Sequence, residues 1–156
     1  MSLDRDIALL RKVPTFASLS PEALRLLAIS AERRTLTVDE ILFVADEPAE
    51  DGYVVMSGRI DLVEARGDHR RVVHTAARGA LIGEAALIVD IKRPVSAIAG
   101  ETTTLMKISR ALFLRMLEAF PDAALAVRRS IAGRLRETLG ALDGVRVQLE
   151  SAPGKG

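Results

Sequence analysis

The sequence predicts an α+β fold in which an antiparallel β jelly-roll barrel carries N-terminal helices, one short helical turn and a long C-terminal helix. Three observations carry this expectation. Apolar residues keep a helical period up to about residue 32 and return to it from residue 109 onwards. Between about 34 and 108 they fall instead into short β-branched runs separated by Gly, Asp and Pro, the pattern of a sandwich or barrel. The 156 residues are 49% hydrophobic and 28% charged, an ordinary globular composition that supports one core at this length. A single domain is therefore expected over residues 1–150, with 151–156 as a flexible polar tail.

The elements follow in order. Leu3, Ile7 and Leu10 recur at i, i+4 and i+7, one apolar helical face. Ser20-Pro21-Glu22 then reads as a helix start: Ser can cap, Pro suits the first position, and Glu favours the positive dipole end. Ala23, Leu24, Leu27 and Ala28 line one side of that second helix. In the barrel zone, Ile41-Leu42-Phe43-Val44 is a short strand, and Tyr53-Val54-Val55-Met56 leads through Ser57-Gly58 to Ile60, Leu62 and Val63. Ala65 to His69 reads as a turn from which Arg71-Val72-Val73-His74 returns. Pro94 to Ala99 and Thr102 to Ile108 complete the strands. One stretch breaks the pattern: Gly83-Glu84-Ala85-Ala86-Leu87 reads as a helical turn inside a β domain.

From Ser109, a capping residue, Leu112, Phe113, Met116, Leu117 and Phe120 repeat at helical spacing until Pro121. Beyond it, Ile131, Leu135, Thr138, Leu142, Val145 and Leu149 are spaced 4, 3, 4, 3, 4, a coiled-coil seam with Thr138 its one polar member. Gly133, Gly140 and Gly144 oppose a long helix at roughly 1 kcal/mol each and place its end nearer Leu142. Arg128, Arg129, Arg134 and Arg136 read as the solvated face of this helix. The apolar stripe implies a homodimer built on residues 121–149.

Composition removes several classes of function. With no Cys, there are no disulfides, thiolate nucleophiles, iron–sulfur clusters or Cys-based zinc sites. His69 and His74 sit five apart on a hairpin, poor material for a metal site, so no metal is expected. A net charge of +1 lacks the electrostatic footprint of a nucleic-acid binder, and no Trp with 3% aromatics argues against base-stacking platforms. The N-terminus lacks the apolar core of a signal peptide, and no apolar run approaches the ~20 residues of a membrane span. A cytoplasmic protein that binds neither membrane nor nucleic acid is the expectation.

Gly83-Glu84-Ala85-Ala86-Leu87, with Arg93 ten residues after the glycine, resembles the phosphate-binding cassette of cyclic nucleotide-binding domains. Phe16 with Leu19-Ser20-Pro21, Ile41-Leu42-Phe43, and Pro48 followed by Tyr53-Val54-Val55 and Ser57-Gly58 are similar to other marks of that family. The resemblance covers roughly residues 12 to 140 and is to the sensor domain of catabolite-activator-type bacterial regulators. It implies a ligand, cAMP, bound at Gly83, Glu84, Ala85, Ala86, Arg93, Pro94, Ser96 and Thr138, and no catalytic residue.

Physical chemistry gives those positions sense. Backbone N–H groups at the start of a short helix, around Gly83, Ala85 and Ala86, can hold a cyclic phosphate. Gly83 permits close approach, and Arg93 adds charge-assisted hydrogen bonds. Glu84 would accept from the ribose 2′-hydroxyl, as the matching Glu of the family does. In a purely structural alternative, Glu84 caps its own turn while Arg93 pairs with Glu84 or Asp90.

Two departures stand out. The family usually has Ser, Thr or Ala after the Arg, whereas Pro94 has neither an N–H nor a hydroxyl. A bond from such an N–H to a charged group is worth ~1.5–3 kcal/mol, so weak binding is expected unless Ser96, two residues on, substitutes. Without a hydroxyl after the Arg, cAMP is favoured over cGMP. The usual turn Gly before Glu47 is Asp46, which tolerates a left-handed conformation. Thr138 sits where the catabolite-activator branch has an adenine-contacting Thr, and it equally suits a seam position that tunes dimer register.

Regulators of this type continue into a helix-turn-helix, and this sequence ends at Gly156 without one. A stand-alone cyclic nucleotide-binding module is therefore the expected function, signalling to an unidentified effector protein through its flanking helices. The alternative is a degenerate, ligand-free scaffold for dimerisation or partner binding, for which Pro94 argues. A cupin-like enzyme is the remote third reading, since it would need clustered metal ligands.

Overall fold

The computed structural model describes residues 2–122, 124, 125, 127–130, 132 and 133. Ser2 starts helix α1 (Leu3–Lys12), its hydroxyl accepting from the Arg5 N–H, with Asp4 and Asp6 in the first turn and Arg11 and Lys12 in the last. That order of charge matches the helix dipole at both ends. Pro14 forces the preceding residue out of the helical region, and Pro14–Phe16 forms a 3-10 turn instead. Helix α2 (Pro21–Ser30) begins at Ser20, whose hydroxyl accepts from the Ala23 N–H, as the capping pattern predicts.

Ten antiparallel strands follow among the described residues: β1 (Glu32–Leu36), β2 (Ile41–Phe43), β3 (Pro48–Ala49), β4 (Asp51–Ser57), β5 (Arg59–Arg66), β6 (His69–Ala77), β7 (Leu81–Ile82), β8 (Ile91–Lys92), β9 (Ser96–Ala99) and β10 (Thr103–Ser109). One sheet runs β1-β10-β4-β7 and the other β2-β9-β5-β6, while β3 and β8 pair separately. Early strands thus lie beside late ones, as a jelly roll requires. Between β7 and β8 the chain makes a 3-10 turn, Glu84–Leu87, in the place where a helical turn is expected. Helix α3 (Arg110–Ala119) starts on Ser109, which accepts from the Leu112 N–H. The described residues between 121 and 133 are also helical.

Two cores share β4, which is why it is buried on both faces. Tyr53 and Val55 point into the barrel with Leu36, Phe43, Ile60 and Leu105. Val54 points out, against a layer that α1, α2 and α3 build together with Leu87 of the 3-10 turn. In that layer Phe16 and Phe113 pack with their rings tilted by 42° and their centroids 5.9 Å apart, so segments from opposite ends of the sequence meet.

Three details depart from expectation. Leu9 and Leu10 are the deeply buried apolar positions of α1, while Leu3 and Ile7 are only half-buried. Asp6 of the same helix is buried as well and pairs with Arg33 of β1. The strand expected from Pro94 begins only at Ser96, since Pro94 and Val95 form a bend. Ile131, Leu135, Thr138, Leu142, Val145 and Leu149, the expected seam, lie outside the described residues.

Candidate functional site

The backbone around Arg93 is clamped before its side chain is aimed. Strands β3 and β8 pair Pro48 with Lys92 and Ala49 with Ile91. Just beyond, the Arg93 N–H donates to the Glu47 carbonyl and the Asp46 N–H donates to the Arg93 carbonyl, both at 2.8 Å. Asp46 adopts a left-handed φ of 73° there, the conformation its side chain tolerates better than most.

So held, the Arg93 side chain enters the barrel and is only 4% exposed. Its guanidinium lies 4.1 Å from the Phe43 ring centroid and 5.7 Å from that of Tyr53. Two of the five aromatic residues of the sequence are therefore spent on one cation. Nη2 donates to the Asp51 carbonyl at 3.0 Å. Nη1 is buried and has no hydrogen-bond partner among the described residues. Burial pushes the guanidinium pKa below the usual arginine value, against the opposing pull of Tyr53, Asp51 and Glu47. Neither Glu84 nor Asp90 pairs with Arg93 among the described residues.

Nη1 faces Gly83. A Cβ at that position would sit 2.5 Å from Nη1 and 3.1 Å from the Asp51 carbonyl oxygen, and Gly83 has a φ of 76°. Both space and backbone conformation demand glycine. Gly83 is in turn the N-cap of the 3-10 turn, with no side-chain hydrogen bond across that cap. The Ala86 N–H is committed to the Gly83 carbonyl at 3.1 Å, so Ala86 offers its buried methyl group and no donor. The unmatched guanidinium nitrogen thus lies beside the glycine that opens the turn, a cationic donor suited to an anion.

The other expected residues are placed differently. The Glu84 carboxylate accepts from the Thr15 hydroxyl, in the helical layer. Ser96 accepts from the Ala45 N–H at 2.9 Å, pinning the loop after β2. Pro94 is exposed on the bend. Thr138 lies outside the described residues.

Three residues escaped the sequence reading. Phe43 and Tyr53 read there as barrel strand, because nothing local marks an aromatic ring as a cation platform. Arg110 was given no role there. Its Nη1 donates to the Val89 carbonyl at 2.7 Å and to those of Ala86 and Ala49 at 3.4 Å, tying the end of the 3-10 turn to β3. A cation at a helix N-terminus opposes the dipole, and that mismatch was the available signal.

Residues 33–120 match the family model described as the cyclic nucleotide-binding domain. An uncharacterized NTE family protein of Mycobacterium bovis is 35% identical over 129 residues, which is 83% of this chain and 22% of that protein. The cyclic AMP receptor protein of Thermus thermophilus is 30% identical over 125 residues, 80% of this chain and 58% of that protein. The chain therefore spans only part of these relatives, about a fifth in the first case. Among solved structures, a cyclic nucleotide-binding-like protein from Brucella abortus superposes with a TM-score of 0.68 at 38% identity, covering 72% of this chain and 97% of that one. The matched stretch runs from β1 through α3 and contains Gly83, the 3-10 turn and Arg93. With its jelly-roll strand order and the Gly83-to-Arg93 spacing, the chain belongs to the cyclic nucleotide-binding domain family.

Proposed function

We propose that this protein is a regulatory, non-catalytic module that binds a cyclic nucleotide, with the phosphate at Arg93 beside the 3-10 turn that Gly83 begins. One observation carries the reading: a buried guanidinium whose Nη1 lacks a hydrogen-bond partner among the described residues and faces a left-handed glycine. Leaving a buried charged donor unmatched costs about 1–3 kcal/mol or more, and an anion removes that cost. These groups hold an anion rather than transform it. The family shared with the Thermus cyclic AMP receptor protein supports cAMP as the ligand. Pro94 supplies no N–H beside the phosphate, so affinity is modest and cAMP is preferred to cGMP. Occupancy is signalled through the flanking helices, in a homodimer joined by the helix after Pro121, to a separate effector protein.

Isothermal titration with cAMP, cGMP and a cyclic dinucleotide tests this. Micromolar or weaker binding with cAMP ahead is expected. A second reading, a ligand-free scaffold of the same fold, is favoured by Pro94, and it wins if none of the three binds.

A further inference from the structure

We infer that Thr15 sets the ligand affinity of the site, by competing with the ligand sugar for the Glu84 carboxylate. The inference rests on the cyclic nucleotide reading above. Glu84 is the first residue of the 3-10 turn, and its carboxylate accepts from a hydroxyl 69 positions earlier in the chain. Thr15 is 1% exposed and stands between Val13 and Phe16, both buried in the helical layer. Phe16 is itself packed against Phe113. The hydroxyl is therefore fixed and cannot follow the carboxylate elsewhere.

The two sides of the turn belong to different cores. Leu87 and the segment around Thr15 sit with the helices. Gly83 faces Arg93, whose guanidinium lies on Phe43 and Tyr53 of the barrel. An anion at Arg93 is on the barrel side, and so is a hydroxyl carried next to it. To give that hydroxyl the oxygen that now accepts from Thr15, the Glu84 carboxylate must turn away from Thr15. The ligand then gains one charge-assisted hydrogen bond at the expense of another of similar strength. Thr15 thus lowers the share of affinity that a ribose 2′-hydroxyl contributes, and its release passes occupancy to the segment joining α1 and α2.

Two measurements on the full chain test this. In the ligand-free protein, thermal unfolding of Thr15→Val, Glu84→Ala and the double variant should be non-additive, because the two side chains share one bond. Additive effects would overturn the inference whatever the protein binds. In titration, Thr15→Val should bind cAMP about tenfold more tightly than the wild type. For 2′-deoxy-cAMP, Thr15→Val should bind no more tightly than the wild type, and Thr15→Ser, which keeps the hydroxyl, should match the wild type for cAMP. Unchanged or weaker cAMP binding by Thr15→Val, or equal tightening for both ligands, would refute the competition. Failure of every variant to bind either ligand would instead overturn the cyclic nucleotide reading, and the inference with it.

Discussion

Replacing Arg93 with Met separates a binding role from a structural one, because the two predict opposite results. The substitution keeps length and apolar volume while removing the charge. In the ligand-free protein, Arg93 gains a cation–π contact of about 0.5–2 kcal/mol with Phe43 and Tyr53. It gains one charge-assisted bond to the Asp51 carbonyl, about 1.5–3 kcal/mol. Against these stand the desolvation of a buried cation, several kcal/mol, and the unmatched Nη1. The terms nearly cancel, so Arg93→Met should shift unfolding stability by no more than about 1 kcal/mol. Binding should behave otherwise. Without the guanidinium, the ligand phosphate loses the cation that faces it, and affinity should fall by ~2 kcal/mol or more, roughly thirtyfold. Urea denaturation without ligand and titration with cAMP measure the two quantities on one preparation. A variant destabilised by more than about 3 kcal/mol yet binding cAMP as the wild type does would show Arg93 to be a packing residue, and the site assignment would fall.

Gly83→Ala should lose at least about tenfold in cAMP affinity and about 1–2 kcal/mol of stability, since its Cβ would meet Arg93 Nη1 at 2.5 Å with a positive φ. Titration and thermal melts read both. Pro94→Ser restores an N–H and a hydroxyl on the exposed bend, so cAMP affinity should rise about tenfold or more. No change would mean that another group already supplies the donor. Arg110→Met removes the bonds to Val89, Ala86 and Ala49, and hydrogen exchange should accelerate in residues 84–89 before it does so in β4 or β10. Uniform acceleration would indicate global destabilisation instead.

The barrel and its flanking helices were legible in the sequence because they rest on local periodicity and caps. Ser20 and Ser109 cap the helices their positions announced, and the switch from helical to strand spacing falls close to β1. Gly83 and Arg93 were legible as a spaced pair, and the left-handed Asp46 as a turn residue. What the spacing could not contain was direction. Whether Arg93 meets a carboxylate, a carbonyl or an aromatic face depends on Phe43, Asp51 and Tyr53, which β-strand pairing brings together from 40 to 50 residues away. The partner of Glu84 is likewise set by the helical layer, since the layer in which Phe16 packs against Phe113 also holds Thr15 beside the turn. Sequence alone therefore marked the residues whose chemistry suits them to hold an anion. Tertiary structure decided which are free to do so, because hydrogen-bond capacity and buried charge are balanced among neighbours in space, and the chain order does not record them.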